Sequence, residues 1–244
     1  MVAVNKGLAR KVLSLVDAGL VKGLGVAEPG KMCVEAAVNY ALGASHGDKP
    51  SCVGRAVREF KIRLNDANWP SNKDRAVGMR KLAIAQLGSD TIDQKAFAQY
   101  VALHTVKRIV PLAFRAAVVL MPKHKDTLEG AAVGCEVSLD FVSARAAASA
   151  ATAVAFKVHA DAAYAAADAA YSAIAHSDSY YYSYSAVVAY AYAAADAAAA
   201  GANAAAAERK EAPSKVLMLC AQIGLEALQE QDSPGCKWLD LCEE

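Results

Sequence analysis

The chain has 244 residues, 55% of them hydrophobic, and 26 Lys+Arg balance 25 Asp+Glu to a formal net charge of +1. That length suggests one or two domains and is enough to bury a core, while the net charge alone says nothing about partners. A membrane span is not expected, because the longest uncharged run, Ser179 to Ala195, is too short and carries Ser and six Tyr.

Apolar periodicity predicts a first helix from about Asn5 to Lys22, with Leu8, Val12, Leu15, Val16 and Leu20 on its inner face. A second runs from Met32 to Leu42, and a loop from Gly43 to Pro50 follows. Ser51 is the expected N-cap of a third helix lined by Val53, Ala56, Val57, Phe60 and Leu64. Ser71 or Asn72 caps a fourth, ending at Gly88. Asp90 is the expected cap of a long segment that Pro111 should kink or split. The next helix begins near Thr127 and leads into the alanine-rich region. A last helix, Ser214 to Gln229, precedes the ending Pro234-Gly235-Cys236-Lys237-Trp238-Leu239.

The stretch from Ala144 to Ala207 is about half alanine and holds eight of the ten tyrosines. Alanine favours helix because it loses no side-chain entropy on ordering. No Gly or Pro falls between Val142 and Ala175, so one continuous helix is expected there. Asp161 and Asp168, and Tyr164 and Tyr171, repeat at a spacing of seven, which puts each pair on one stripe. His176 to Ser179 breaks the pattern, and a second arm runs from about Tyr180 to Glu208. These arms predict an antiparallel hairpin with a close alanine seam and tyrosines at its margins, each arm roughly 45 Å long at about 1.5 Å per residue. No strand pattern is present. The expected fold is all-α: a basic helical head over residues 1–140, then the Ala/Tyr-rich hairpin over 141–244, with the C-terminal helix and Trp238 packing back on the head.

Charge is divided along the chain. Residues 1–130 hold 20 Lys+Arg and 11 Asp+Glu, and residues 131–244 hold 6 and 14. Three readings fit: the halves dock on each other, copies associate head to tail, or a basic surface meets an acidic partner. The six cysteines are scattered without a CxxC pair, and the first 24 residues are amphipathic with interspersed Lys and Arg rather than a signal peptide. A reduced, cytoplasmic protein with free thiols is expected.

The densest chemical cluster is Gly30-Lys-Met-Cys33-Val-Glu35-Ala-Ala-Val38 with His46-Gly-Asp48-Lys-Pro-Ser-Cys52-Val53. With the Pro-Gly-Cys-Lys-Trp-Leu ending and the Ala/Tyr tract, it resembles an uncharacterised group of bacterial and phage proteins. That resemblance implies helical-hairpin architecture and a phage or mobile-element origin. It brings no activity and no catalytic residue. Read as chemistry, Cys33 at a helix start has a macrodipole to lower its pKa, with His46 as base and Asp48 as orienting group. The spacing matches no thiol hydrolase, so no catalytic residue is assigned. Zinc held by Cys33, His46 and Cys52, with Asp48 or Cys236 as the fourth ligand, lacks the paired ligands of such sites. No metal or cofactor is expected.

Binding residues are expected in two places. Tyr180, Tyr181, Tyr182 and Tyr184 form a cluster too dense to bury on one helical face, and tyrosine suits interfaces. Arg55, Arg58, Arg63, Lys107 and Arg108 are the nucleic-acid candidates of a basic head that also carries Lys61, Lys73, Arg75, Arg80, Lys81, Arg115, Lys123 and Lys125; binding requires them to converge on one face. The leading expectation is a non-enzymatic protein–protein interaction protein. Its concrete form by resemblance is a phage or mobile-element inhibitor that binds and inhibits or remodels a host complex, a host protein or protein–nucleic-acid assembly. Self-association is a further expectation. Nucleic-acid binding through the head is the alternative, and a cysteine-dependent enzyme at Cys33 and His46 comes third.

Overall fold

The computed structural model describes residues 4–177 and 216–243, with side chains at 176 and 177 left aside. The described residues form ten α-helices and no strand; two backbones meet only at an isolated bridge between Gly25 and Met32. The fold is all-α. It divides into two compact units, residues 1–97 with 221–244, and residues 98–220. This division crosses the boundary at residue 140 read from the sequence.

Unit 1 contains α1 (Lys6–Asp17), α2 (Val34–Ala41), α3 (Arg55–Asp66), α4 (Asn72–Ala85), the first turn of α5 (Gln94–His104) and most of α10 (Val216–Glu230). Helix starts are set by side chains that take up orphan N–H groups. Asn5 caps α1, Ser71 caps α4, and the Cys33 thiol caps α2. Two starts differ from expectation. Ser51 does not cap α3; the helix begins after Gly54, whose N–H donates to the Ser89 hydroxyl while Ala56 N–H donates to Gln94 Oε1 at 3.0 Å. The cap is thus supplied from a distant part of the chain, and a Cβ on Gly54 would strike the Gln94 amide. Asp90 lies in a 3₁₀ turn, Ser89–Thr91, and Asp93 caps α5 by accepting from the N–H groups of Lys95 and Ala96.

A 3₁₀ segment, Pro234–Cys242, packs on α1 and α4. Ser233 donates to the Ala85 carbonyl at the end of α4, and Gly235 sits so close to that carbonyl end that a Cβ has no room. Salt bridges hold the acidic tail: Lys6 to Asp240 at 3.1 Å and Lys81 to Glu243 at 2.6 Å. Arg80 grips Asp17 at 2.7 Å and donates to the Cys242 carbonyl. This fold cancels the charge division. Unit 1 holds 16 Lys+Arg and 15 Asp+Glu, and unit 2 holds 10 of each.

Unit 2 contains the remainder of α5, α6 (Val110–Leu120), α7 (Lys125–Glu136), α8 (Phe141–Lys157) and α9 (Asp161–Ser177). Pro111 has the expected effect by a specific route. Lacking an N–H, it cannot bond the carbonyl four residues back, and the chain widens into a π-turn, Thr105–Ile109, in which Val110 N–H reaches the Thr105 carbonyl. Arg115 on α6 clamps Glu129 and Glu136 on α7, each at 2.9 Å.

Two expectations fail in the alanine region. The helix from Thr127 does not run on; Asp140 starts α8 with a reciprocal cap, taking the Ser143 N–H while the Ser143 hydroxyl accepts from the Asp140 N–H. Nor is Val142–Ala175 continuous. His159 adopts φ +57°, and the N–H groups of Ala160 and His159 fold back onto the carbonyls of Ala155 and Phe156. This is a Schellman stop made without glycine, ordinarily a penalty, here offset by burial of Ala155 and Ala160. α8 and α9 therefore form a tight hairpin of their own. Arg145 near the start of α8 lies over Tyr171 near the end of α9, and Phe156 meets Tyr164 at the turn, so the helices are antiparallel. Ala144, Ala148, Ala151 and Ala155 on α8 are buried, as are Ala163, Ala166, Ala167 and Ala170 on α9. Asp161 and Asp168 are exposed. The second arm expected from Tyr180 to Glu208 lies outside the described residues.

Candidate functional site

The cysteine cluster is built on the start of α2. Cys33 Sγ accepts from the Ala36 N–H at 3.4 Å and is 5% exposed; burial pushes its thiol above the ordinary value. Cys52 is buried and shifted the same way. His46 is exposed, and its Nε2 donates to the Gly25 carbonyl at 3.1 Å. The cap uses Cys33 as a small acceptor, and a buried thiol with a raised pKa is a poor nucleophile. All six cysteines are unpaired thiols. Among the described residues no group of three or more His, Cys, Asp or Glu side chains is placed to hold a metal ion.

The chemically unusual pair lies one residue away and was not singled out from sequence. Glu35 of α2 and Lys61 of α3 are both 0% exposed, with Lys61 Nζ 3.2 Å from Glu35 Oε1. Burial pushes the Glu35 carboxyl up, opposed by Lys61, and pushes the Lys61 ammonium down, opposed by Glu35. The contact is an ion pair without a well-aligned hydrogen bond, so both carboxylate oxygens lack a donor among the described residues. The signal was present: Val57, Lys61 and Leu64 form an i, i+4, i+7 stripe, which puts the lysine on the buried face.

Part of the basic head is spent inside the fold, while Lys73, Lys123 and Lys125 are exposed. Arg75, 4% exposed, donates to the carbonyls of Asn65, Leu20 and Ala67 and to Asn72, closing the C-terminal end of α3. Lys61, Arg80, Lys81 and Arg115 are engaged as described. Of the nucleic-acid candidates, Arg55 and Arg63 are exposed on α3, and Arg58 is half-buried against Glu59 at 3.3 Å. Lys107 and Arg108 are half-buried in the π-turn of the other unit. Tyr180, Tyr181, Tyr182 and Tyr184 lie outside the described residues.

An apolar face that the sequence reading did not anticipate lies on unit 2. Leu139 is 86% exposed, Val142 79% and Val137 64%. Val142 also lines a groove of about 390 Å³ over α8 and α9, together with Phe141, Ala146, Ser149 and Ile174 and with Arg145 and Tyr171. The Arg145 guanidinium is 5.7 Å from the Tyr171 ring centroid, a cation–π contact, and has no acidic partner among the described residues. Across the described residues no helix is long and apolar enough to cross a membrane. No protein-family model, curated protein or solved structure matches the chain.

Proposed function

We propose that the protein is a non-enzymatic interaction protein and that the apolar face of unit 2 is its docking surface. The carrying observation is the α8–α9 groove lined by exposed Val142, with Val137 and Leu139 also exposed just before α8 in the chain. Single exposed aliphatic residues are ordinary, but a contiguous apolar patch marks an interaction site. The groove runs along two antiparallel helices and has a floor of small residues, Ala146 and Ser149, which suits an amphipathic helix laid into it. Arg145 at the side calls for an acidic residue on that helix. In the form the resemblance implies, the partner belongs to a host complex that the protein inhibits or remodels. Nucleic-acid binding has less support, since about half of the basic cations are engaged within the protein and the candidates divide between the two units. A cysteine-dependent enzyme has less still, given the capping role of Cys33.

The test is affinity capture with full-length protein against the double variant Leu139→Glu/Val142→Glu. Both positions face solvent, so the variant should keep the wild-type melting profile and lose the partner. Equal capture by both would sink the assignment of this face.

A further inference from the structure

A second site lies beside Glu35 in unit 1. A small cavity of about 40 Å³ opens between the loop at Gly23, the first turn of α2, Asp48 and the last turn of α3. Several of its polar groups are satisfied. Asp66 Oδ1 accepts from the Gly23 N–H at 2.8 Å and from the Asn65 amide at 2.9 Å. Asn65 Oδ1 accepts from the Val34 N–H, and its amide also donates to the Val21 carbonyl. Glu35 is only partly satisfied: it is fully buried and lines the cavity, its Oε1 faces the Lys61 ammonium at 3.2 Å without an aligned hydrogen bond, and its Oε2 has no partner among the described residues. Asp48 is half-buried on the same cavity, and its carboxylate makes no hydrogen bond or ion pair among the described residues.

Ionised carboxylates only accept, so this cavity calls for donors. The charges around it are the carboxylates of Glu35, Asp48 and Asp66 against the Lys61 ammonium and the half-buried Arg58, with the neutral thiols of Cys33 and Cys52 nearby. The balance is negative, which favours a cationic donor and disfavours any anion. A water needs about 10–15 Å³ of such space, so the cavity of about 40 Å³ admits about three non-hydrogen atoms, enough for an ammonium nitrogen and the start of its chain. We propose that it binds a primary ammonium headgroup held between Glu35 and Asp48. The headgroup belongs to a free ammonium ion or to the tip of an amine chain such as a lysine side chain.

The experiment is an NMR titration of the side-chain carboxyl carbons in the full-length protein. Ammonium, n-butylammonium, tetramethylammonium and sodium chlorides are compared at constant ionic strength, with Glu35→Gln and Asp48→Asn used for assignment. Saturable shifts of Glu35 and Asp48 with ammonium, absent with sodium and with the donorless tetramethylammonium, are expected. Asp48→Asn should weaken binding by about tenfold, the worth of one charge-assisted hydrogen bond. Asp48 is half-buried, so this variant tests the site even where Glu35→Gln does not fold. Saturation by n-butylammonium as well assigns the site to amine chains; saturation by ammonium alone assigns it to the free ion. No saturable shift with either, or the same response in Asp48→Asn, overturns the proposal and leaves water as the occupant.

Discussion

Unit 1 and unit 2 meet the same packing problem with different side chains. The interior of unit 1 includes Glu35, Asn39, Lys61, Asn65, Arg75, Gln86 and Ser89, and several of these tie one helix end or loop to another. Among the described residues of unit 2, the buried polar side chains are Thr105 and Ser138, and the α8–α9 contact is made by alanine. A polar interior fixes one arrangement of loops but leaves groups that are expensive if unpaired. An alanine seam brings backbones close and hides little area per residue, so larger apolar side chains such as Leu139, Val142 and Phe156 are left on the outside. The apolar surface of unit 2 follows from how its seam is filled.

The largest effect is expected in unit 1. Removing one member of the buried pair, as in Lys61→Met, strands a buried carboxylate and should lower stability by about 3–5 kcal/mol in urea unfolding. Glu35→Gln/Lys61→Met together should recover most of that loss. A single variant as stable as wild type would show that the pair is not sealed from water, and the contrast between the units would shrink.

The seam of unit 2 comes next. Ala148→Leu or Ala166→Leu, at positions that are 0% exposed, should destabilise by about 1–3 kcal/mol through overpacking. The same change at exposed Ala146 should be nearly neutral. Thermal melts of the three variants decide whether burial, rather than alanine content, holds α8 to α9.

The smallest effect concerns pH. The Lys6 contact holds the Asp240 carboxyl below its ordinary value, and Lys81 does the same for Glu243. Their stabilisation is therefore present above the ordinary carboxylate range and is lost as pH falls through the depressed folded values. Glu35 runs the other way. Its folded pKa is raised, so its contribution is full below the ordinary value of 4.5 and declines as pH rises through the folded value. Acidification should loosen the C-terminal segment before the α2–α3 contact. Hydrogen exchange followed from neutral to acid pH checks the order, and simultaneous loss of protection in both would contradict it.

Much of the helical framework was legible because apolar period and caps are local. Ser71 and the inner face of α1 show this, and Pro111 disrupted its helix as expected. What was not legible depends on distant chain. The start of α3 rests on Gln94 and Ser89, which no local pattern reveals. The stop at His159 uses a left-handed residue where glycine would have announced it. The charge division left three readings open, and only the fold shows that the acidic C-terminal segment lies on α1 and α4. Lys61 sat on an apolar stripe yet counted as surface charge, because a lysine is seldom buried. The apolar face escaped notice because exposure of Leu139 and Val142 depends on where α7 ends and α8 begins.

The central claim is that unit 2 docks a partner through its apolar face, and hydrogen–deuterium exchange on the complex with the captured partner tests it most directly. The account predicts new protection over residues 137–149 and 171–175, with α1 to α4 unchanged. Protection confined to α3 around Arg55 and Arg63, with residues 137–149 exchanging as in the free protein, would contradict it.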